Sequence, residues 1–179
     1  MNSIKQIEVI YNNRLVGRLA LTREGLCAFE YSAEWLSSGF SISPFELPLR
    51  SGVFIAKPRP FEGGFGVFDD CLPDGWGLLI LDRYLQQKGI NPRTLTLLDR
   101  LALVGSTGRG ALEFRPDNSV VTRQDFADFE KLALEAEKIL ASDDYMGEGI
   151  EEFQDRGGSP GGARPKIFVR YNDKEWLVK

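Results

Sequence analysis

Four prolines, Pro44, Pro48, Pro58 and Pro60, lie in a stretch rich in Ser, Pro and Gly (residues 37–60) and forbid a long helix there. They separate a front part that reads as strands from a later part that reads as helices. In the front part, Ile4, Val9 and Ile10 belong to an apolar-rich run that ends at Tyr11. Asn12-Asn13 follows, a pair that tolerates the left-handed backbone of a tight hairpin. Leu15, Val16, Leu19 and Leu21 make a second strand with a bulge expected at Gly17, and Leu26–Tyr31 makes a third. An antiparallel meander is the simplest arrangement. Val53-Phe54-Ile55-Ala56 is the one strand expected between the prolines, and the glycines of residues 61–77 read as a loop.

Helical periodicity takes over at Asp74, a candidate cap for a helix through Leu78, Leu81, Leu85 and Gln87 that Gly89 ends. A second helix, capped by Thr94, carries Leu97, Leu98, Leu101 and Val104 and stops at Gly105. Residues 110–114 return as a strand. A third helix is expected over 123–140, with Thr122 and Asp125 as a capping box. Composition then shifts. Residues 143–155 hold six acids and no base, whereas residues 156–179 hold six bases and two acids. The expected organisation is therefore a domain over 1–142, an acidic linker over 143–156, and a hairpin over 157–179 that begins something further. Two strands alone bury too little to stand free. The fold class expected is α+β, a small antiparallel sheet packed with helices and followed by that hairpin.

Composition excludes several chemistries. The chain has no histidine, so it supplies no Ser-His-Asp triad and no histidine-ligated zinc. Cys27 and Cys71 lie far apart, without metal-ligand spacing. No apolar run approaches the length of a membrane span, and the opening residues lack the apolar block of a signal peptide. Reduced thiols and a cytoplasmic location are expected. The net charge of −4 argues against direct contact with nucleic acid.

Four segments invite a chemical reading. In residues 156–166, four glycines surround Ser159, and Arg164 and Lys166 follow. Glycines at that density let backbone N–H groups converge on an anion, phosphate above all. On composition alone the plainer reading, a flexible linker with solvated charges, is the better one. Lys179 ends an apolar strand, Trp176-Leu177-Val178, where a lysine reaches phosphates or simply frays. In Leu72–Gly77, Asp74 and Trp76 read as a helix cap and a helix anchor. In Val104–Leu112, a glycine loop with Arg109 is an anion candidate that a helix stop explains as well. Asp69, Asp70 and Asp74 are close enough in sequence to suggest a cation, although aspartates in a glycine-rich turn need none.

The order of these motifs carries a resemblance that no single one does. LPDGWG with a leucine helix, then LTLLDRLALVG, then GRGALEF, resembles the N-terminal domain of HipA-like serine/threonine kinases, the toxin halves of bacterial toxin–antitoxin pairs. GGSPGGARPKIFV resembles the loop that opens their kinase core, so that residues 4–179 are covered. The resemblance implies that the hairpin is the first of a kinase-like small lobe. It implies that Ser159 is the loop serine phosphorylated in cis, an added charge that would repel nucleotide. It also implies that Gly161 and Gly162 cradle phosphate, and that Lys166 and Lys179 meet ATP phosphates. ATP and Mg2+ are the cofactors it implies for the complete kinase. The implied partners are a helix-turn-helix antitoxin of HipB type, through which DNA is met indirectly, and a protein substrate such as an aminoacyl-tRNA synthetase.

The family's catalytic-loop aspartate and asparagine and its magnesium-binding aspartate have no counterpart through Lys179. No catalytic residue is therefore assigned in this chain, tight nucleotide binding is not expected, and the chain alone is expected to be inactive. The alternative from another class is a stand-alone, non-catalytic interaction module that masks a partner kinase or antitoxin.

Overall fold

A computed structural model describes residues 4–119, 129–142, 145–147, 150–151, 153–154, 162–171 and 174–179. The chain forms two compact units, one of Met1–Leu72 with Leu95–Ser119, the other of Pro73–Thr94 with Val120–Lys179.

The first unit is built on a five-stranded sheet. β1 (Gln6–Tyr11), β2 (Arg14–Leu21) and β3 (Cys27–Tyr31) form the expected meander, β4 (Val53–Ile55) adds to β3, and β5 (Leu112–Arg115) adds to β1. Every pairing is antiparallel. Asn12 and Asn13 turn the first hairpin at φ 47° and 60°, both left-handed, as a two-residue turn of that hand requires. The β1–β2 register shifts between Val9 and Ile10: Val9 faces Gly17 and Ile10 faces Leu15, which leaves Val16 as the extra residue beside Gly17.

Helices cover this sheet. Ser32, whose hydroxyl accepts from the Trp35 N–H, caps α1 (Ala33–Ser38), a helix with no counterpart in the sequence expectations. A four-residue helix, α2 (Gly66–Asp69), lies within the stretch read as a loop. Of the two later helices that the sequence marks, α4 (Leu97–Val104) belongs to this unit and α3 (Gly75–Gln87) to the second. α4 is capped by Thr96, not Thr94. Thr94 closes a 3-10 turn over Pro92–Thr94, whereas Thr96 and Asp99 satisfy each other's backbone N–H groups in a capping box. Gly105 ends α4 as expected. Val9, Leu19, Phe29, Phe68, Leu98, Leu101 and Phe114 are among the buried side chains of one shared core.

The second unit contains α3, α5 (Phe129–Ala141) and a two-stranded sheet, β6 (Ile167–Tyr171) with β7 (Lys174–Val178). The proposed start of α5 and its Thr122–Asp125 box lie outside the described residues. Trp76, Ile80 and Tyr84 of α3 share a core with Leu132, Ala136 and Ile139 of α5, with Ile150 and Phe153, and with Ile167 of the hairpin. The two strands are thus not self-supporting. The inward residue at the start of β6 joins a helical core, which supplies the apolar burial that an isolated hairpin lacks. Arg83, itself buried, donates to the carbonyl of Ile139 at 2.6 Å and ties α3 to α5.

Candidate functional site

The glycine-rich segment leads through Lys166 into β6, whose first residue, Ile167, is buried in the core that includes Trp76 and Phe153. Within the segment, Gly162 adopts φ 86°, a left-handed conformation that favours glycine. Its carbonyl accepts from the Lys166 ammonium at 3.0 Å. The same carbonyl accepts the backbone N–H of Trp76 at 3.0 Å. That N–H belongs to the first turn of α3, whose donors have no partner within the helix. Asp74 stands at the cap position, but its side chain makes no cap hydrogen bond. The expected aspartate cap is therefore replaced by a carbonyl from the glycine segment. Trp76 does anchor the helix: it is 1% exposed and meets Phe153 edge-on, ring centroids 5.2 Å apart. Its indole N–H has no hydrogen-bond partner among the described residues.

The hairpin's ladder ends with Ile167 paired to Val178; Lys166 immediately precedes the one strand and Lys179 immediately follows the other. Lys166 is 6% exposed, an unusual state for a lysine, while Lys179 and Arg164 are exposed. Ser159 and Gly161 lie outside the described residues.

The other candidates are explained by local structure. In the Arg109 loop, the Ser106 N–H, which an anion would need, is taken by the carboxylate of Asp117 at 3.0 Å. Asp117 also accepts from the N–H and hydroxyl of Ser119. Burial pushes its pKa up, but these hydrogen bonds outweigh burial and hold it below the usual carboxylate range. Asp69 and Asp70 sit at the end of α2, where burial first, then Asp70 and Glu62, raise the pKa of Asp69. Among the described residues no group of three or more metal-ligating side chains converges. Burial raises the thiol of Cys27 to about 11; burial and then Asp70 do the same for Cys71, so neither is a ready nucleophile near neutral pH. No helix of the described residues is long and apolar enough to cross a membrane.

The class these features define is an α+β protein: a helix-covered antiparallel sheet, with a lysine-bearing hairpin on a separate helical core. Comparison with known families makes it specific. Residues 7–115 match the family described as the HipA N-terminal domain, and the chain belongs to that family. Among solved structures it is similar to a chain of the Shewanella oneidensis MR-1 toxin–antitoxin complex of HipA, HipB and operator DNA. The TM-score is 0.55 and the identity 22%, over 96% of this chain and 37% of that one. The likeness is one of fold, and the chain spans little more than a third of that relative. No curated protein matches.

What sequence reasoning missed at this site is Gly75. A glycine as the first residue of a helix, where φ is 44°, was the available signal, because a helix start has no intrinsic use for it.

Proposed function

We propose that this chain is the N-terminal part of an ATP-dependent protein serine/threonine kinase of HipA toxin type. Its complete form inhibits growth and is restrained by autophosphorylation at Ser159 and by a DNA-binding antitoxin of HipB type. The observation that carries the reading is a buried Lys166 whose ammonium is held on the carbonyl of Gly162 at the exit of a glycine turn. A lysine ammonium next to a backbone in left-handed conformation suits the phosphate tail of ATP. Gly161, Gly162, Lys166 and Lys179 would hold that tail. ATP with Mg2+ supplies the transferable phosphoryl group. The carboxylates that bind the metal and activate the acceptor hydroxyl belong to the remainder of the enzyme, as does recognition of a substrate such as an aminoacyl-tRNA synthetase. The antitoxin, not this acidic chain, makes the DNA contact, and the cytoplasm is where such a pair works.

Two lysines without the rest of a nucleotide pocket bind weakly. An amide NMR titration with ATP and Mg2+ is expected to shift Gly162, Lys166 and Lys179 with a Kd of about 1 mM. Lys166→Met and Lys179→Met should each weaken binding about tenfold, the scale of one charge-assisted hydrogen bond. An unchanged spectrum up to roughly 10 mM ATP, a concentration at which such a site would be mostly filled, would end the reading.

The complementary expectation concerns turnover. Incubated with γ-labelled ATP and Mg2+, the purified chain should transfer no label to Ser159 or to an added protein. Magnesium-dependent incorporation would refute the assignment of the catalytic groups to the remainder of the enzyme.

A further inference from the structure

We propose that Gly75 is a positioning residue for Lys166, acting through the carbonyl of Gly162. Its purpose rests on the nucleotide reading above, but the contact itself stands on geometry. One oxygen, that of Gly162, accepts both the first-turn N–H of Trp76 and the ammonium of Lys166, each at 3.0 Å. The peptide that follows Gly162 lies directly against Gly75. A β-carbon at position 75 would stand 2.5 Å from both the carbonyl carbon and oxygen of Gly162, and 2.9 Å from the nitrogen of Ala163. These are backbone atoms, so no flexible side chain can swing aside. The backbone at Gly75 is also left-handed, at φ 44°, which adds strain for any other residue.

Only glycine therefore seats the carbonyl on the start of α3. With the seat lost, the Gly162 carbonyl no longer holds the Lys166 ammonium in place. With the seat intact, the lysine is held beside the positive end of a 13-residue helix, so a phosphate that reaches one meets both.

The test is competitive acylation of the whole chain with an acetyl ester, read by peptide mass spectrometry against the exposed Lys57. In the unaltered protein Lys166 should react slowly, being 6% exposed. Gly75→Ala should raise its relative rate by ~5-fold, as the covered state is depopulated. Gly162→Ala should act in the same direction. Gly162 is solvent-exposed, and a β-carbon there would press on the Lys166 ammonium at 3.3 Å, so this variant decides the matter if Gly75→Ala does not fold. Gly89→Ala is the control. Gly89 has the same left-handed strain, at φ 74°, just past the other end of α3, but open space around its β-position. It should leave Lys166 protected.

An unchanged rate in the first two variants, or an equal rise in all three, overturns the proposal. The ATP titration is read separately. Shifts at Lys166 that persist undiminished in Gly75→Ala overturn the positioning role and leave the nucleotide site standing. Absence of shifts in the unaltered chain removes the nucleotide site, while the acylation rates still decide the contact.

Discussion

Phe29→Ala is expected to destabilise the first unit by about 4 kcal/mol, the usual cost of emptying a fully buried aromatic site. Phe29 is 0% exposed and meets Tyr31 and Phe68 at ring-centroid distances of 4.9 and 5.5 Å, so its loss opens a cavity between sheet and helices. In a unit of this size the cost corresponds to a fall in Tm of roughly 20 °C. Calorimetry gives the figure, and amide exchange locates it in β2 and β3. Gly17→Ala tests the same place from the opposite side. A β-carbon at 17 would lie 2.2 Å from the Glu30 carbonyl oxygen and 2.7 Å from the Phe29 ring. Strands β2 and β3 would have to part, at a cost of about 2–3 kcal/mol. The double variant separates the two clashes. Removing the ring relieves one, but the carbonyl remains, so Gly17→Ala should still destabilise the Phe29→Ala background. A double variant more stable than Phe29→Ala alone would show that the ring, and not the strand backbone, excludes a side chain at 17.

The elements legible in the sequence are those whose causes are local. Asn12-Asn13 sets its turn by its own conformational tolerance, and Gly105 stops α4 within a single turn. The helices at α3 and α4 are long enough for an apolar stripe to recur. α1 and α2, at six and four residues, are too short for periodicity, and only the Ser32 cap marks the first. The Thr96 cap is legible in the sequence, and it prevails over Thr94 for a local reason. The residue three positions beyond Thr96 is an aspartate, which closes a box, while the residue three beyond Thr94 is Leu97.

The candidate site divides along the same line. Glycines and a following lysine are visible as composition, and the short hairpin that pairs Ile167 with Val178 follows from its turn and apolar strands. The burial of Lys166 was not legible, because lysine is normally exposed. Nor was the carbonyl of Gly162 on Trp76, a contact across 86 residues. Sequence patterns report what each segment prefers; they do not report which distant backbone oxygen will satisfy a helix start. For the same reason Asp74 looked like a cap, and its position is right, but a rival acceptor takes the N–H.

Asp99 is where charge and fold meet most directly, and Asp99→Asn is expected to cost the first unit about 2–3 kcal/mol at pH 7. Its carboxylate accepts from the backbone N–H of Ile4 at 3.0 Å and from the N–H and hydroxyl of Thr96 at 2.9 and 2.7 Å. It thus caps α4 and holds the chain leading into β1. An amide in its place keeps one acceptor oxygen but turns an NH2 towards donors. Burial by itself raises the pKa of Asp99; the hydrogen bonds from Ile4 and Thr96 outweigh it, and the net shift is downwards. A carboxylate with a lowered folded-state pKa binds protons less readily than in the unfolded chain, where its value is about 3.9. Its stabilisation is therefore complete above that value and is lost as pH falls through the lower, folded one. The gap in unfolding free energy between the unaltered protein and Asp99→Asn should be constant from pH 7 to about 5 and shrink below about 4. Urea unfolding followed by the fluorescence of buried Trp35 reads it. Asp117, lowered for the same reason, remains in both proteins and cancels in the comparison. A gap that stayed the same at pH 3 would mean that packing at residue 99, and not its charge, stabilises the start of α4.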